Sequence, residues 1–277
     1  MARSRLNVSP ETLLGVVLTI LLIQGCGEMR TKWTTTFDAL GPGNYRIEGI
    51  SCIRDAIYVT GTFQPETGRA RCFTAKYDSD GTLMWHDTVE APEIGHTRGR
   101  AVIAVPGQDE TLAAHTDIYV LAQAYGEHEG ARQQVILKKY DSTGNIQWLH
   151  TLTDHDGPLT STLLSDAEGN VYVAGCERDQ ADMPTLYIGK YDESGKTSWF
   201  AKYYNELVDY DELKFDIRTR QPASIVAAGV LKPAAELFYL RCDGYGMLQR
   251  ITRYTGGDGA IELAGVVAGS DGGVYLS

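Results

Sequence analysis

The stretch KYDSDGTLMW, from Lys76 to Trp85, decides the fold because it returns along the chain. It comes back as KYDSTGNIQW at Lys139–Trp148 and as KYDESGKTSW at Lys190–Trp199, and in degraded form as RCDGYGMLQR at Arg241–Arg250. A basic residue, an aromatic residue or Cys, an Asp and a turn Gly thus recur with a period of roughly 50 residues. Such a period indicates a repeat architecture.

Each repeat reads as four short strands. A first apolar run is followed by the strand that ends in the K-Y-D stretch, and then by a strand that carries Trp85, Trp148 or Trp199. β-Branched residues between turn signals favour strands over helices. The apolar runs are Ile57–Gly61, Val171–Gly175 and Ile225–Gly229, with Ile118–Val120 as a looser copy, and a weaker fourth strand is predicted at Ala101–Val105, Ser161–Ser165, Glu212–Ile217 and Glu262–Val267. The pattern predicts an all-β protein, a β-propeller of about five four-stranded antiparallel blades.

The Asp and Gly of the repeat predict a tight hairpin. The Asp side chain can accept hydrogen bonds from backbone amides, and Gly can adopt a positive φ. A calcium loop at Asp78–Gly81 is the weaker interpretation, because no further oxygen ligands follow Gly81. The basic column could form either a charged ring for an anionic ligand or simple ion pairs at strand ends. It consists of Lys76, Lys139, Lys190 and Arg241, and the accompanying acidic column of Asp78, Asp141, Asp192 and Asp243.

The pattern D-x-x-G-N-V-Y-V-x-G at Asp166–Gly175, followed by K-Y-D-x-x-G-x-x-x-W, resembles a β-propeller repeat family of exported and surface-anchored bacterial proteins. The resemblance covers Trp33 to Ser277. It implies the fold of the repeat region and does not identify a functional site. The repeats are also similar to pyrroloquinoline-quinone-type propellers, among them the lipoprotein of the outer-membrane barrel-assembly machinery. Those repeats typically read A-x-x-x-x-x-G-x-x-x-W, from which this chain departs.

The two ends of the repeat region predict ring closure by one shared blade. Trp33 matches the Trp of the third strand, and Val274–Ser277 matches the first strand. The K-Y-D strand of that blade is missing. The chain is therefore expected to form a five-bladed ring with one deficient blade, or to be cut from a longer propeller, which its abrupt end favours.

The first residues predict an export signal. Arg3 and Arg5 precede the apolar run Thr12–Ile23, which is too short to cross a bilayer as a helix. Ile23-Gln24-Gly25-Cys26 resembles a bacterial lipobox, which implies cleavage after Gly25 and lipidation (palmitate) of Cys26; an ordinary signal peptide is the alternative. The predicted domains are a signal peptide at 1–25, a tether at 26–32 and the propeller at 33–277. Because Gly27 replaces the Asp of inner-membrane lipoproteins, the expected location is the outer membrane or cell surface.

Composition and motifs narrow the function. A net charge of -11 argues against nucleic acid as a partner. The chain lacks serine-nucleophile, phosphate-binding and zinc-protease motifs, and the tract His150–Asp156 is a weak metal candidate. We therefore expect no cofactor, no metal and no catalytic residue, and Cys72 as a small buried apolar group. The expected function is a lipid-anchored, non-enzymatic binding or scaffold module for a protein or glycan; the alternatives are the barrel-assembly or quinoprotein type, or an exported enzyme that uses the central funnel.

Overall fold

The computed structural model describes most of the repeat region and part of the N-terminal segment. The described residues are 16–22, 30–91, 93, 95–106, 116–126, 133–152, 158–166, 168–178, 184–204, 214–218, 224–231, 236–255, 263, 265–269 and 273–277. Within these ranges the regular structure consists of β-strands. No helix in the described ranges is long and apolar enough to cross a membrane.

A short strand pair stands at each end of the chain, and four antiparallel sheets of four strands lie between them. The N-terminal pair is β1 (Val16–Leu22) with β2 (Arg30–Phe37). Sheet 1 contains β3 (Gly43–Ile53), β4 (Ala56–Pro65), β5 (Arg71–Asp78) and β6 (Leu83–Val89). Sheet 2 contains β7 (His96–Pro106), β8 (Thr116–Tyr125), β9 (Gln134–Tyr140) and β10 (Ile146–Leu152).

The second half of the chain continues the pattern. Sheet 3 contains β11 (Pro158–Ser165), β12 (Val171–Arg178), β13 (Pro184–Tyr191) and β14 (Thr197–Tyr204). Sheet 4 contains β15 (Lys214–Arg218), β16 (Ser224–Leu231), β17 (Glu236–Asp243) and β18 (Leu248–Thr255). The C-terminal pair is β19 (Val266–Ala268) with β20 (Val274–Leu276).

The first strands of the sheets form the inner wall of a ring. β3 lies against β7, β7 against β11, β11 against β15, and β15 against β19. Strands within each sheet follow chain order outward from this wall. This is the radial arrangement of a β-propeller, and the predicted fold class is confirmed.

The predicted weaker strands exist, but they belong to a different sheet than expected. Ala101–Val105 lies in β7, which pairs with β8 and so opens sheet 2 instead of closing sheet 1. The reason is chain length, because only two residues, Arg54 and Asp55, join β3 to β4 as a hairpin. The spacing of the repeat predicts how often such a strand occurs along the chain. The length of the connection to the next strand determines which strand it pairs with.

The recurring Asp and Gly form the predicted hairpin. In the first copy, Asp78 Oδ1 accepts hydrogen bonds from the amides of Asp80 and Thr82, each at 2.9 Å. Gly81 donates its amide to the Asp78 carbonyl and has a φ of 84°. The other three copies repeat these contacts. This part of the sequence interpretation is confirmed.

The hydrophobic core lies in layers between neighbouring sheets. Between sheets 1 and 2, Tyr58, Cys72 and Val89 pack against Val120 and Ile136. Cys72 is fully buried there, as predicted for a small apolar side chain. Similar layers occupy the next two sheet-to-sheet interfaces. Burial of each sheet thus depends on its neighbour, which is how a repeat array becomes one folded unit.

The N-terminal pair copies the geometry of the K-Y-D hairpins. Ile20 pairs with Trp33 and Leu21 with Thr31, with the register shift between Ile20 and Leu21. Lys76 pairs with Trp85 and Tyr77 with Leu83, with the shift at the same place. β1 therefore adopts toward β2 the same register that the K-Y-D strand adopts toward its Trp strand.

Strand β2 also packs as the outer strand of a preceding blade. Phe37, four positions after Trp33, is buried and stacks on Phe73 of sheet 1 with ring centroids 4.8 Å apart. Val89, four positions after Trp85, is buried against sheet 2 in the same manner. The apolar N-terminal segment thus pairs with β2 in the register of a K-Y-D strand, while the N-terminal and C-terminal pairs are two separate two-stranded sheets in the described part of the chain. Cys26 lies outside the described residues, and its lipidation stays a prediction.

Candidate functional site

Two charged residues occupy β-bulges at the inner wall of the ring. In β3 the pairing with β4 passes from Ile47 to Gly49, which leaves Glu48 as the bulged residue. In β7 the pairing with β8 passes from Gly99 to Ala101, which leaves Arg100 in the bulge. A bulge redirects a side chain away from the regular alternation of the strand, and bulges are frequent next to active sites.

Glycines bring the two bulges close together. A β-carbon at Gly49 would lie 3.1 Å from the Val102 amide nitrogen, and one at Gly99 would lie 2.7 Å from the Gly61 carbonyl oxygen. The absence of a side chain at each position allows the backbones of sheets 1 and 2 to approach. Glu48 and Arg100 are consequently held at the same sheet-to-sheet junction.

Two further arginines surround this junction. Arg46 Nε lies 2.8 Å from Glu48 Oε1, and the Glu48 side chain is only 20% exposed. Arg98 donates from Nε and Nη2 to Gln123 Oε1, at 3.0 and 2.6 Å. Gln123 is fully buried and in turn donates to Gln133. The guanidinium of Arg98 is thus oriented by a buried amide. We call Arg46, Glu48, Arg98 and Arg100 the arginine cluster.

The electrostatics of the arginine cluster favour a bound anion. Burial lowers the pKa of Arg100, and the neighbouring charge of Arg98 lowers it further, whereas Glu48 opposes the shift. Among the described residues, Arg100 thus feels the positive charges of Arg98 and Arg46 and the negative charge of Glu48. An anionic group would stabilise the cluster through charge-assisted hydrogen bonds, for which the planar guanidinium is well suited.

The charged columns of the repeat lie elsewhere and serve the fold. Lys76 donates to the carbonyl oxygen of Ser142 in the next sheet, at 2.7 Å. Lys139 forms an ion pair with Asp117 of the adjacent strand, with Nζ and Oδ2 2.8 Å apart. The aspartates of the column accept hydrogen bonds within their own turns. These contacts favour the interpretation as local pairing over a ligand-binding ring.

The histidine tract is only partly described. His150 Nε2 lies 2.8 Å from the carbonyl oxygen of Ser194 in sheet 3, and its ring packs on Trp148. The tract from residue 153 to 156 lies outside the described residues. His150 therefore contributes to a contact between sheets.

Sequence reasoning missed the arginine cluster because its members are far apart in the chain. A signal was nevertheless present: Arg46 and Arg98 differ by 52 positions, and so do Glu48 and Arg100. This spacing is close to the repeat period of roughly 50 residues, and the bulges of β3 and β7 show that equivalent places on neighbouring inner strands carry charged residues. Charge at the same repeat position is the pattern that could have identified them.

Comparisons with known proteins identify a fold and no family. No family model and no curated protein sequence matches the chain. A protein of unknown function from Bacteroides caccae shares the fold with a TM-score of 0.52 at 9% identity, over 89% of this chain and 74% of that one. The hemagglutinin-neuraminidase of Parainfluenza Virus 5, with its ligand DANA, gives 0.51 at 9% identity over 91% and 74%. The arabinanase Arb43A of Bacillus subtilis gives 0.41 at 11% identity over 72% of each chain.

The expectation that the protein is not an enzyme is contradicted by these structures. A hemagglutinin-neuraminidase is among the proteins that share this fold. The lack of linear catalytic motifs carried that expectation, but a ring of sheets assembles a site from residues of separate repeats. The arginine cluster, built from β3 and β7, illustrates how such a site escapes a motif search. At these sequence identities the likeness shows the fold alone.

Proposed function

We propose that this protein is a glycan-acting enzyme of the cell envelope that binds the acid group of its saccharide at the arginine cluster. The observation that carries the proposal is the position of Arg100 and Glu48 in facing bulges of the inner wall. Pockets at the mouth of a ring of strands commonly hold small ligands. The hemagglutinin-neuraminidase that shares the fold adds support for an acidic sugar as the ligand.

The members of the cluster have separate roles in this proposal. Arg98 and Arg100 donate to the carboxylate of the sugar, and Gln123 keeps Arg98 in place. Glu48, partly buried beside Arg46, is the carboxylate next to the bound ring. A carboxylate in that place can act as a base or stabilise positive charge that develops at the anomeric carbon.

The envelope location rests on the N-terminal sequence. We propose that the protein is exported and anchored by lipid at Cys26, in the outer membrane or at the cell surface. The support is the run Thr12–Ile23 that ends in Ile23-Gln24-Gly25-Cys26. Cys26→Ser should move the protein from the membrane fraction to the soluble exported fraction, and persistence in the membrane fraction would refute the anchor.

The enzymatic proposal is tested with a panel of glycans. Oligogalacturonides and sialosides represent acidic substrates, and arabinan and galactan represent neutral ones. We expect the protein to bind the acidic glycans and to hydrolyse them, which is measured as newly formed reducing ends. Arg100→Gln should weaken the binding of acidic glycans about tenfold or more, which corresponds to the loss of one charge-assisted contact. Arg250→Ala, on the outer strand of sheet 4, is the matched control and should have no effect.

The role of Glu48 has its own readout. Glu48→Gln should abolish turnover and leave the binding of acidic glycans nearly unchanged, because the amide keeps the shape of the side chain. Turnover that survives in Glu48→Gln refutes this role. Binding of neutral but not acidic glycans refutes the assignment of the arginine cluster.

A further inference from the structure

A cavity opens at the junction of sheets 1 and 2, and Thr97, the residue before Arg98 of the arginine cluster, is part of its lining. Its volume is about 340 Å3, and it lies between the β4–β5 connection and the β6–β7 connection. Both connections are at the same end of the strands, since β4 ends and β5 begins there, as do β6 and β7. This volume falls in the lower range of cavities that hold small molecules.

The walls combine apolar and charged groups. Pro65, Ala70 and Ala91 supply apolar surface. Arg71 Nη1 and Glu90 Oε1 are 3.5 Å apart across the cavity wall, with the two side chains 34% and 60% exposed. A pair that is this open to solvent is weak, so both groups can exchange partners. The composition suits a sugar, whose C–H face needs apolar surface and whose hydroxyl and acid groups need charged partners.

The guanidinium of Arg71 is already oriented. It lies over the ring of Phe63, with Cζ 5.3 Å from the ring centroid. Phe63 is buried in the core of sheet 1. Stacking on an aromatic face limits the freedom of the side chain and leaves its N–H groups available at the edges. Arg71 therefore presents a fixed donor edge.

Hydrogen bonds fix the rim of the cavity. The Ala70 amide donates to His96 Nδ1, and the Thr97 amide donates to the Ala70 carbonyl, each at 2.9 Å. The Cys72 amide donates to Thr97 Oγ1 at the same distance. These contacts join the two connections that form the walls. The cavity is thus preformed, which lowers the entropic cost of binding.

The start of β7 separates the cavity from the arginine cluster. Thr97 lines the cavity and Arg98 belongs to the cluster, and successive residues of a strand point to opposite faces. His96 contacts both the cavity and the surroundings of the arginine cluster. Its Nδ1 accepts the hydrogen bond from Ala70, which lines the cavity, and its ring stacks on Tyr125 with centroids 5.3 Å apart. The guanidinium of Arg98 lies 5.4 Å from the same Tyr125 centroid. The two sites are therefore neighbours across the end of one strand.

We infer that the cavity is a second subsite for an acidic oligosaccharide, which runs from the arginine cluster over the end of β7 and places a further acidic sugar against Arg71. This inference rests on the proposed function and deepens it, since it makes the ligand an oligomer. Arg71 binds the acid group of that sugar, and Glu90 accepts hydrogen bonds from its hydroxyl groups. The arginine cluster alone would bind a monomer and an oligomer equally well.

The test is the dependence of affinity on chain length. Isothermal titration calorimetry on the full chain compares galacturonic acid with its oligomers of two, four and six sugars. We expect the longest oligomer to bind about tenfold or more tightly than the monomer, the gain that one additional charged contact gives. Arg71→Gln should remove that gain and leave the affinity for the monomer unchanged.

A second variant separates the subsite from the stability of the fold. Thr67→Trp, on the exposed connection, would fill the cavity without altering Arg71 or the core, and it should remove the same gain. Equal affinity for all chain lengths, or a full gain in both variants, overturns the inference. If instead Arg71→Gln weakens the oligomer while Arg100→Gln changes nothing, the subsite stands and the assignment of the arginine cluster falls.

Discussion

Gly144 of one hairpin packs against the indole ring of Trp85 from the preceding sheet, so closely that a β-carbon at Gly144 would come within 2.8 Å of it. The same contact joins Gly195 to Trp148 and Gly246 to Trp199. Each of these indoles also donates to a carbonyl of the turn that it covers. The Gly and the Trp of the repeated sequence thus meet across neighbouring sheets, so the motif connects adjacent sheets as well as forming its own turn.

Gly144→Ala should be costly for two separable reasons. Gly144 and Gly41 both have a φ of 92°, but nothing lies within 4 Å of a β-carbon at Gly41. We expect Gly41→Ala to lower the free energy of unfolding by about 1 kcal/mol, through backbone strain alone. Gly144→Ala should cost about 3 kcal/mol, because overpacking against Trp85 is added. Urea unfolding of both variants measures the difference, and equal losses would refute the contact between sheets.

The ion pair between sheets 1 and 2 should respond asymmetrically to removal of its two partners. Lys138 is 4% exposed and contacts Asp87, which is 31% exposed and also accepts a hydrogen bond from Tyr140 at 2.9 Å. Asp87→Ala leaves a buried ammonium without its counter-ion and should cost about 3 kcal/mol of unfolding free energy. Lys138→Met leaves a carboxylate that water can reach and should cost about 1 kcal/mol. The reverse order in chemical denaturation would contradict this account.

Acid should weaken the hairpins. Partial burial raises the pKa of Asp141, but hydrogen bonds from Thr143 and Asn145 outweigh it and hold the pKa at about 2. Because this value lies below that of an unfolded chain, about 3.9, the carboxylate contributes stability above pH 4, and the contribution is lost as the pH falls toward 2. Asp141→Asn should therefore reduce the loss of stability between pH 4 and 2, followed by urea midpoints. Asp55→Asn, on the exposed β3–β4 turn, is the control and should behave like the parent protein.

The sequence predicted the architecture because the repeated motif occurs four times. Asp78 and its equivalents predict turns through local chemistry, and alternation fixes the strands around them. The repeat could not predict which strand begins each sheet, because a periodic pattern of strands can be divided into sheets at any point. The two-residue connection Arg54–Asp55 contains the missing information, since it forces β3 to pair with β4.

The candidate site was harder to foresee for a physical reason. Arg98 lies outside the weak strand Ala101–Val105 that the repeat predicted, and no bounds were predicted for β3, which contains Arg46. The bulges at Glu48 and Arg100 change the direction of the side chains in a way that a regular pattern excludes. Only the packing of one sheet on the next, through Gly49 and Gly99, brings the charges together.

Strand β1 lies within the segment that signal-peptide cleavage would remove, so cleavage should lower the stability of the fold. Cleavage after Gly25 would remove Val16–Leu22, and β2 would lose the partner with which it pairs from Arg30 to Phe37. We therefore expect a chain of residues 26–277 to unfold at a lower urea concentration than a chain of residues 16–277, which keeps β1, when both are produced without lipid. Leu18→Pro in the longer chain should reproduce part of the loss, because proline cannot donate a ladder hydrogen bond. Equal midpoints for the two chains would show that β1 adds nothing to the folded ring and that the segment is free to serve export alone.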